Sequence, residues 1–97
     1  MNDFTDLTAY DDHSLAQAYT DAATGVISAL NRATDLATHH GDHDTAARLQ
    51  DHKHRVWDQQ YALEVDRDTR IERCTLWARQ REDICALIQR YPEGTGV

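Results

Sequence analysis

Proline is almost missing from these 97 residues, occurring only as Pro92, and glycine appears just at positions 25, 41, 94 and 96. Between Asp42 and Tyr91 there is neither. Both residues interrupt regular structure, so this long stretch lacks the usual breakers. Alternating β-branched residues and Asn-Gly turns are also wanting, which removes the strand and hairpin signals. The expectation is an all-α chain forming a single domain over residues 1–97, with flexible ends at 1–11 and 92–97.

Cysteine is scarce too, at Cys74 and Cys85 only. On one helix their spacing of eleven places them on a common face but roughly 16 Å apart. A disulfide needs Cα atoms within about 7 Å, so an intrachain bond is excluded if the segment is helical. Two buried, reduced thiols are expected, with a crosslink between subunits as the alternative. There is no CxxC pair, so no zinc ribbon or thioredoxin-type motif.

Long apolar runs do not occur. The longest, Cys85–Ile88, is far too short to cross a bilayer. The opening MNDFTDLTAYDDH has no basic and then apolar region of the kind a secretory signal requires. A cytoplasmic location with no membrane partner is expected. Arginine outnumbers lysine nine to one and aspartate outnumbers glutamate thirteen to four, which reads as the coding bias of a GC-rich, bacterial genome.

Positive charge is nearly missing from the first half. Residues 1–44 hold eight aspartates against Arg32 alone, whereas residues 45–97 balance, and the whole carries −7. Such a surface argues against nucleic acid and anionic membranes as partners. Large apolar side chains are few and alanine supplies much of the 40 % hydrophobic content. A core built that way gains little transfer energy per residue, so a partner subunit is expected.

What is present is helical periodicity. The first helix is expected over residues 12–40, opened by a capping box at Ser14–Gln17. Gln17, Asp21, Thr24, Ser28, Asn31, Asp35 and Thr38 step 4-3-4-3-4-3 and form one polar stripe. Opposite them stand Leu15, Tyr19, Val26, Ile27, Leu30, Ala33 and Ala37, beside a row of small residues, Ala18, Ala22, Gly25 and Ala29. The apolar surface is wider than one contact needs. Helix 1 should therefore meet two neighbours, and the small row would let one come close.

The second half repeats every seven residues: Leu49, Val56, Leu63, Arg70, Trp77, Ile84 and Tyr91. Ala46, Lys53, Gln60, Arg67, Cys74, Arg81 and Ile88 complete an unbroken 3-4 pattern. This is heptad spacing, which keeps one seam against a partner helix. It favours a single long helix over 43–91, hence an antiparallel helical hairpin turning at 41–42. Helix 1 would cover only half of that length. The remainder would dimerise into a helical bundle, with Leu49, Val56, Leu63, Trp77, Ile84, Ile88 and Tyr91 as interface residues. The alternative is a compact three-helix bundle broken near 66–69, where Thr69-Arg70-Ile71-Glu72 fits another capping box.

Chemistry-bearing patterns are sparse. The run THHGDHD, residues 38–44, holds three of the six histidines, but its positions have structural uses. His39 and His40 suit a helix C-terminus, Gly41 the residue just beyond it, and Asp42 and Asp44 the start of the next helix. A metal site would need three or four converging ligands, and no HExxH pair is present. Neither a phosphate-binding glycine loop nor a nucleophile elbow occurs. Arg67, Arg70, Arg73, Arg79 and Arg81 are expected to pair with the acidic N-terminal half, and Trp57, Tyr61 and Trp77 to sit in the core. The functional expectation is a non-enzymatic protein–protein interaction, adaptor or regulatory module, acting as a homodimer and without a cofactor. The alternative is a ligand- or metal-responsive sensor using histidines near the turn.

Overall fold

A computed structural model describes residues 9–62 and 65–91. Of the expected flexible ends at 1–11 and 92–97, residues 1–8 and 92–97 lie outside the described residues, as does the seam residue Leu63. The fold is all-helical, with three helices: α1 (Asp12–His39), α2 (His43–Gln60) and α3 (Arg67–Arg90). The continuous second helix expected over 43–91 is replaced by α2 and α3, with helical structure ending at Gln60 and resuming at Arg67.

Each helix starts the same way. Asp11, Asp42 and Asp66 stand at the N-caps and accept the backbone N–H three residues on, from Ser14 (2.7 Å), Thr45 (3.3 Å) and Thr69 (2.8 Å). The motif is Asp-x-x-Ser/Thr, three times over. It satisfies one of the orphan donors of a helix start and places negative charge at the positive end of the helix dipole. The cap of α1 is thus Asp11 rather than Ser14, and that of α3 is Asp66 rather than Thr69. Between α1 and α2, Gly41 adopts φ 76°, the left-handed conformation that ends a helix without a Cβ penalty. The expected turn is therefore found where its residues imply.

The chain runs up, down and up. Gln59, near the end of α2, lies beside Tyr19, whereas α3 starts beside Asp12 and ends beside His40. So α3 lies parallel to α1, and α2 antiparallel. The helix α1, about 42 Å long at 1.5 Å per residue, packs against both others. It supplies Leu15, Tyr19, Ala23, Val26, Ala29, Leu30, Ala33 and Ala37 to the core. Every member of its polar stripe is exposed. The two neighbours expected for its wide apolar surface are α2 and α3 of the same chain. Its flanks bury Ala46, Leu49 and Val56 of α2, and Cys74, Trp77 and Ile84 of α3.

The break between α2 and α3 has a physical reason. Extending α2 without interruption would carry Trp77 and Ile84 beyond the end of α1 into water. Folding back forfeits a few helical hydrogen bonds, each worth about 1 kcal/mol net. In return two large side chains are buried, at about 1.5–3 kcal/mol apiece. Asp66 then caps the new helix start.

Candidate functional site

The seam lies inside the chain. Leu49, Val56, Trp77 and Ile84 are buried in the bundle core, while Ile88 and Tyr91 are half-buried against it. The heptad phase survives the α2–α3 break because both helices pack on the same α1. The partner that the seam records is α1 itself.

At the lower end, α1, α2 and α3 meet around one carbonyl. Gln59 O accepts from Tyr19 Oη at 2.8 Å and from Arg73 Nη1 at 3.2 Å, and the same Nη1 donates to Tyr19 Oη at 2.9 Å. That carbonyl belongs to the last turn of α2, which has no basic residue of its own. Arg73 supplies from α3 the positive charge that this helix end favours. Beside it the Tyr19 ring lies 5.0 Å from the Trp77 ring, and the Arg70 guanidinium lies 5.8 Å from the Tyr19 centroid. Arg67 pairs with Asp12 at 2.9 Å and donates to Tyr10 O. Of the arginine cluster, then, Arg67 reaches an acid of the N-terminal half. Arg70 and Arg73 instead find an aromatic face, a hydroxyl and a carbonyl.

At the upper end, THHGDHD forms a corner closed by α3. The His40 ring stacks on Tyr91 (5.0 Å, 23°) and meets His39 edge-on (5.5 Å). Tyr91 Oη donates to Asp42 Oδ2 at 3.4 Å. Burial and the adjacent Asp42 carboxylate raise the Tyr91 phenol above its ordinary value. Elsewhere His52 Nε2 donates to Gln80 Oε1 at 2.9 Å, bridging α2 and α3. Among the described residues, no three His, Cys, Asp or Glu side chains converge on a point that could hold a metal ion.

The three cap aspartates are shifted in the same direction. Ser14 N–H and then its hydroxyl hold the Asp11 carboxyl below its ordinary value. For Asp42 and Asp66 the hydroxyls of Thr45 and Thr69 lead, followed by their N–H groups. A carboxylate depressed on folding stabilises the native state above its unfolded pKa of about 3.9, and that stability is lost as pH falls through the lowered folded value. The triple variant D11N/D42N/D66N should therefore show a shallower loss of stability than the native chain between about pH 5 and pH 2. Urea midpoints measured across that range check this. Parallel profiles for the two proteins would contradict it.

Both cysteines are free. Burial pushes the Cys74 thiol up to about 11, so it stays protonated and inert at neutral pH. Cys85 is half-buried.

Three surfaces remain open. The first is the outer flank of α2, where Trp57 (51 % exposed) and Tyr61 (59 %) stack at 5.1 Å instead of entering the core beside Trp77. The second is a shallow cleft between α2 and α3 at His52, Arg55, Gln59 and Leu76. The third is a groove of about 650 Å³ between α1 and α3, with Ala18, Ala22 and Gly25 on one wall and Ala78, Cys85 and Ala86 on the other. The small row of α1, expected to let a neighbour come close, lines this groove. The exposure of Trp57 left a weak signal in the sequence: its helical neighbours Lys53, His54 and Gln60 are all polar.

No protein-family model, curated protein or solved structure matches the chain. No helix among the described residues is long and apolar enough to cross a membrane.

Proposed function

We propose that this chain is a non-enzymatic helical protein–protein interaction module of adaptor or regulatory type, self-associating as a homodimer through the outer flank of α2. The observation that carries the reading is the exposed, paired Trp57 and Tyr61. Tryptophan and tyrosine are the side chains most often found at the energetic centre of interfaces, and each buries about 150–250 Å². Both stand in water here although the core has its own aromatics, Tyr19 and Trp77.

Charge leaves one flank of α2 open to a second copy as the partner. A chain of net charge −7 repels itself wherever its acids face each other. On α2 the acids Asp44, Asp51 and Asp58 recur every seven residues. That stripe begins about 100° round the helix from Trp57 and about 60° from Tyr61. The positions three and four residues from Trp57 hold Lys53, His54, Gln60 and Tyr61, without a carboxylate. Asp58 stands three residues before Tyr61, so it is on the Trp57 side of this flank that like-charged copies can approach.

Light scattering over a concentration series tests the reading. The expected mass rises from one chain toward two. The W57A/Y61A variant should weaken dimerisation about a hundredfold, as loss of two such anchors implies, while its helical circular dichroism stays unchanged. A single-chain mass at every concentration would refute self-association.

A further inference from the structure

We propose that the α1–α3 groove docks a short, basic, amphipathic helix from another protein. This rests on the reading of the chain as an interaction module, but it uses a different face from the Trp57 flank.

The groove exists because two parallel helices face each other through small side chains. The Arg81 side chain lies over Gly25: a Cβ built there would meet Arg81 Cδ at 3.4 Å and Nε at 3.6 Å. The Arg81 stem and guanidinium therefore form part of the floor, between walls of alanine and the Cys85 thiol. From Ala78 to Gln89 the lined length of α3 is about 17 Å, or three helical turns. A helix of that length presents apolar side chains at i, i+4, i+7 and i+11 along one stripe. Leucine-sized groups on it would fill the space that alanine and glycine leave.

Electrostatics select the occupant. Asp21 stands on the α1 wall and Glu82 on the α3 wall, two carboxylates against the one Arg81 guanidinium in the lining. Asp21 has only the neutral Gln17 amide as its hydrogen-bond partner, at 3.1 Å, and Glu82 has no ion pair among the described residues. Lysine or arginine on both flanks of a docked helix would meet these two carboxylates. The chain's own candidates fit less well. A second copy would bring another acid-rich α1, and residues 1–8 carry Asp3 and Asp6 with no lysine or arginine.

The test uses the full chain and a labelled synthetic helix of about sixteen residues, with leucine at i, i+4, i+7 and i+11 and lysine on both flanks. A matched peptide carries glutamate in place of lysine. Binding is read by fluorescence anisotropy, and occupancy by the alkylation rate of Cys85, the less buried of the two thiols. The lysine peptide should bind and slow alkylation, and the glutamate peptide should bind about tenfold more weakly or worse. D21K/E82K should reverse that order. Ala86→Trp, at an exposed position on the wall, should weaken binding about tenfold without changing the melting curve. Equal binding of the two peptides, no binding of the lysine peptide, or indifference to the Ala86 plug would overturn the proposal. So would Cys85 protection that grows with protein concentration alone, which assigns the groove to a second copy. Faster alkylation in F4S/L7S before any peptide is added would likewise overturn it, by assigning the groove to residues 1–8. None of these readings depends on the W57A/Y61A mass measurement, so either proposal can fail alone.

Discussion

Trp77→Ala should cost about 3–5 kcal/mol and leave the chain close to unfolding at room temperature. Trp77 is 1 % exposed and is the largest of the fully buried side chains. It packs between α3 and α1, with the Tyr19 ring 5.0 Å away. Half of the buried core is alanine and valine, short side chains that cannot reach across the space an absent indole would leave. The cavity therefore stays open, and its cost adds to the lost transfer energy. Urea denaturation followed by far-ultraviolet circular dichroism gives the number, and Trp77→Phe should recover more than half of the loss. A loss below about 1 kcal/mol would contradict the placement of Trp77 at the centre of the bundle.

Arg73→Ala should cost about 2 kcal/mol through the carbonyl that closes α2. The guanidinium donates to both Gln59 O and Tyr19 Oη, and Tyr19 Oη donates to the same carbonyl. The three groups form one network in which each bond orients the others. Tyr19→Phe alone should cost about 1 kcal/mol, because Arg73 still reaches Gln59 O. The double variant should fall short of the sum by about 1 kcal/mol, because the direct Arg73–Tyr19 bond is lost in each single variant and so counted twice in the sum. Arg73→Lys retains the charge but loses the planar fork, and so should recover only part of the stability. Strictly additive losses in the cycle would mean that the two side chains act independently.

Both predictions concern residues whose importance was only half visible beforehand. Tyr19 belongs to the apolar face of α1 in any helical reading, and Trp77 to the heptad seam. Nothing local to Arg73 says that its guanidinium completes the end of a different helix. That contact joins residues 54 and 14 positions apart, and it depends on α3 lying parallel to α1. Similarly, Trp57 and Trp77 were both expected in the core, although Trp77 stands on the heptad seam and Trp57 one position off it. The packing of α2 on α1 through Leu49 and Val56 leaves Trp57 in solvent, whereas α3 turns Trp77 into the core.

The long-helix reading fails for a related reason. The 3-4 pattern from Ala46 to Tyr91 is continuous, and the absence of glycine and proline offers no place to stop. Yet the stop signal was there, as Asp66 followed by Thr69. The same Asp-x-x-Ser/Thr arrangement opens all three helices. Set beside Asp11–Ser14 and Asp42–Thr45, it marks the start of α3 within a residue. A capping box read from Thr69 alone places that start a turn too late.

The sequence by itself determined what short-range forces control. It determined the helical class, the glycine corner at Gly41 with Asp42 as the following cap, the polar stripe of α1, and the wide apolar surface that demands two neighbours. Backbone dihedrals, caps and side-chain periodicity all act within a turn or two of helix, so a handful of residues suffices to express them. Only the tertiary structure decided that both neighbours come from the same chain and that α2 ends at Gln60. It also decided that Trp57, Tyr61 and the α1–α3 groove remain open. A heptad seam records that a partner helix exists, because burial rewards any apolar surface equally. Whose helix it is depends on whether the chain can fold back at a tolerable cost in broken hydrogen bonds, and the burial of Trp77 and Ile84 against α1 tips that balance.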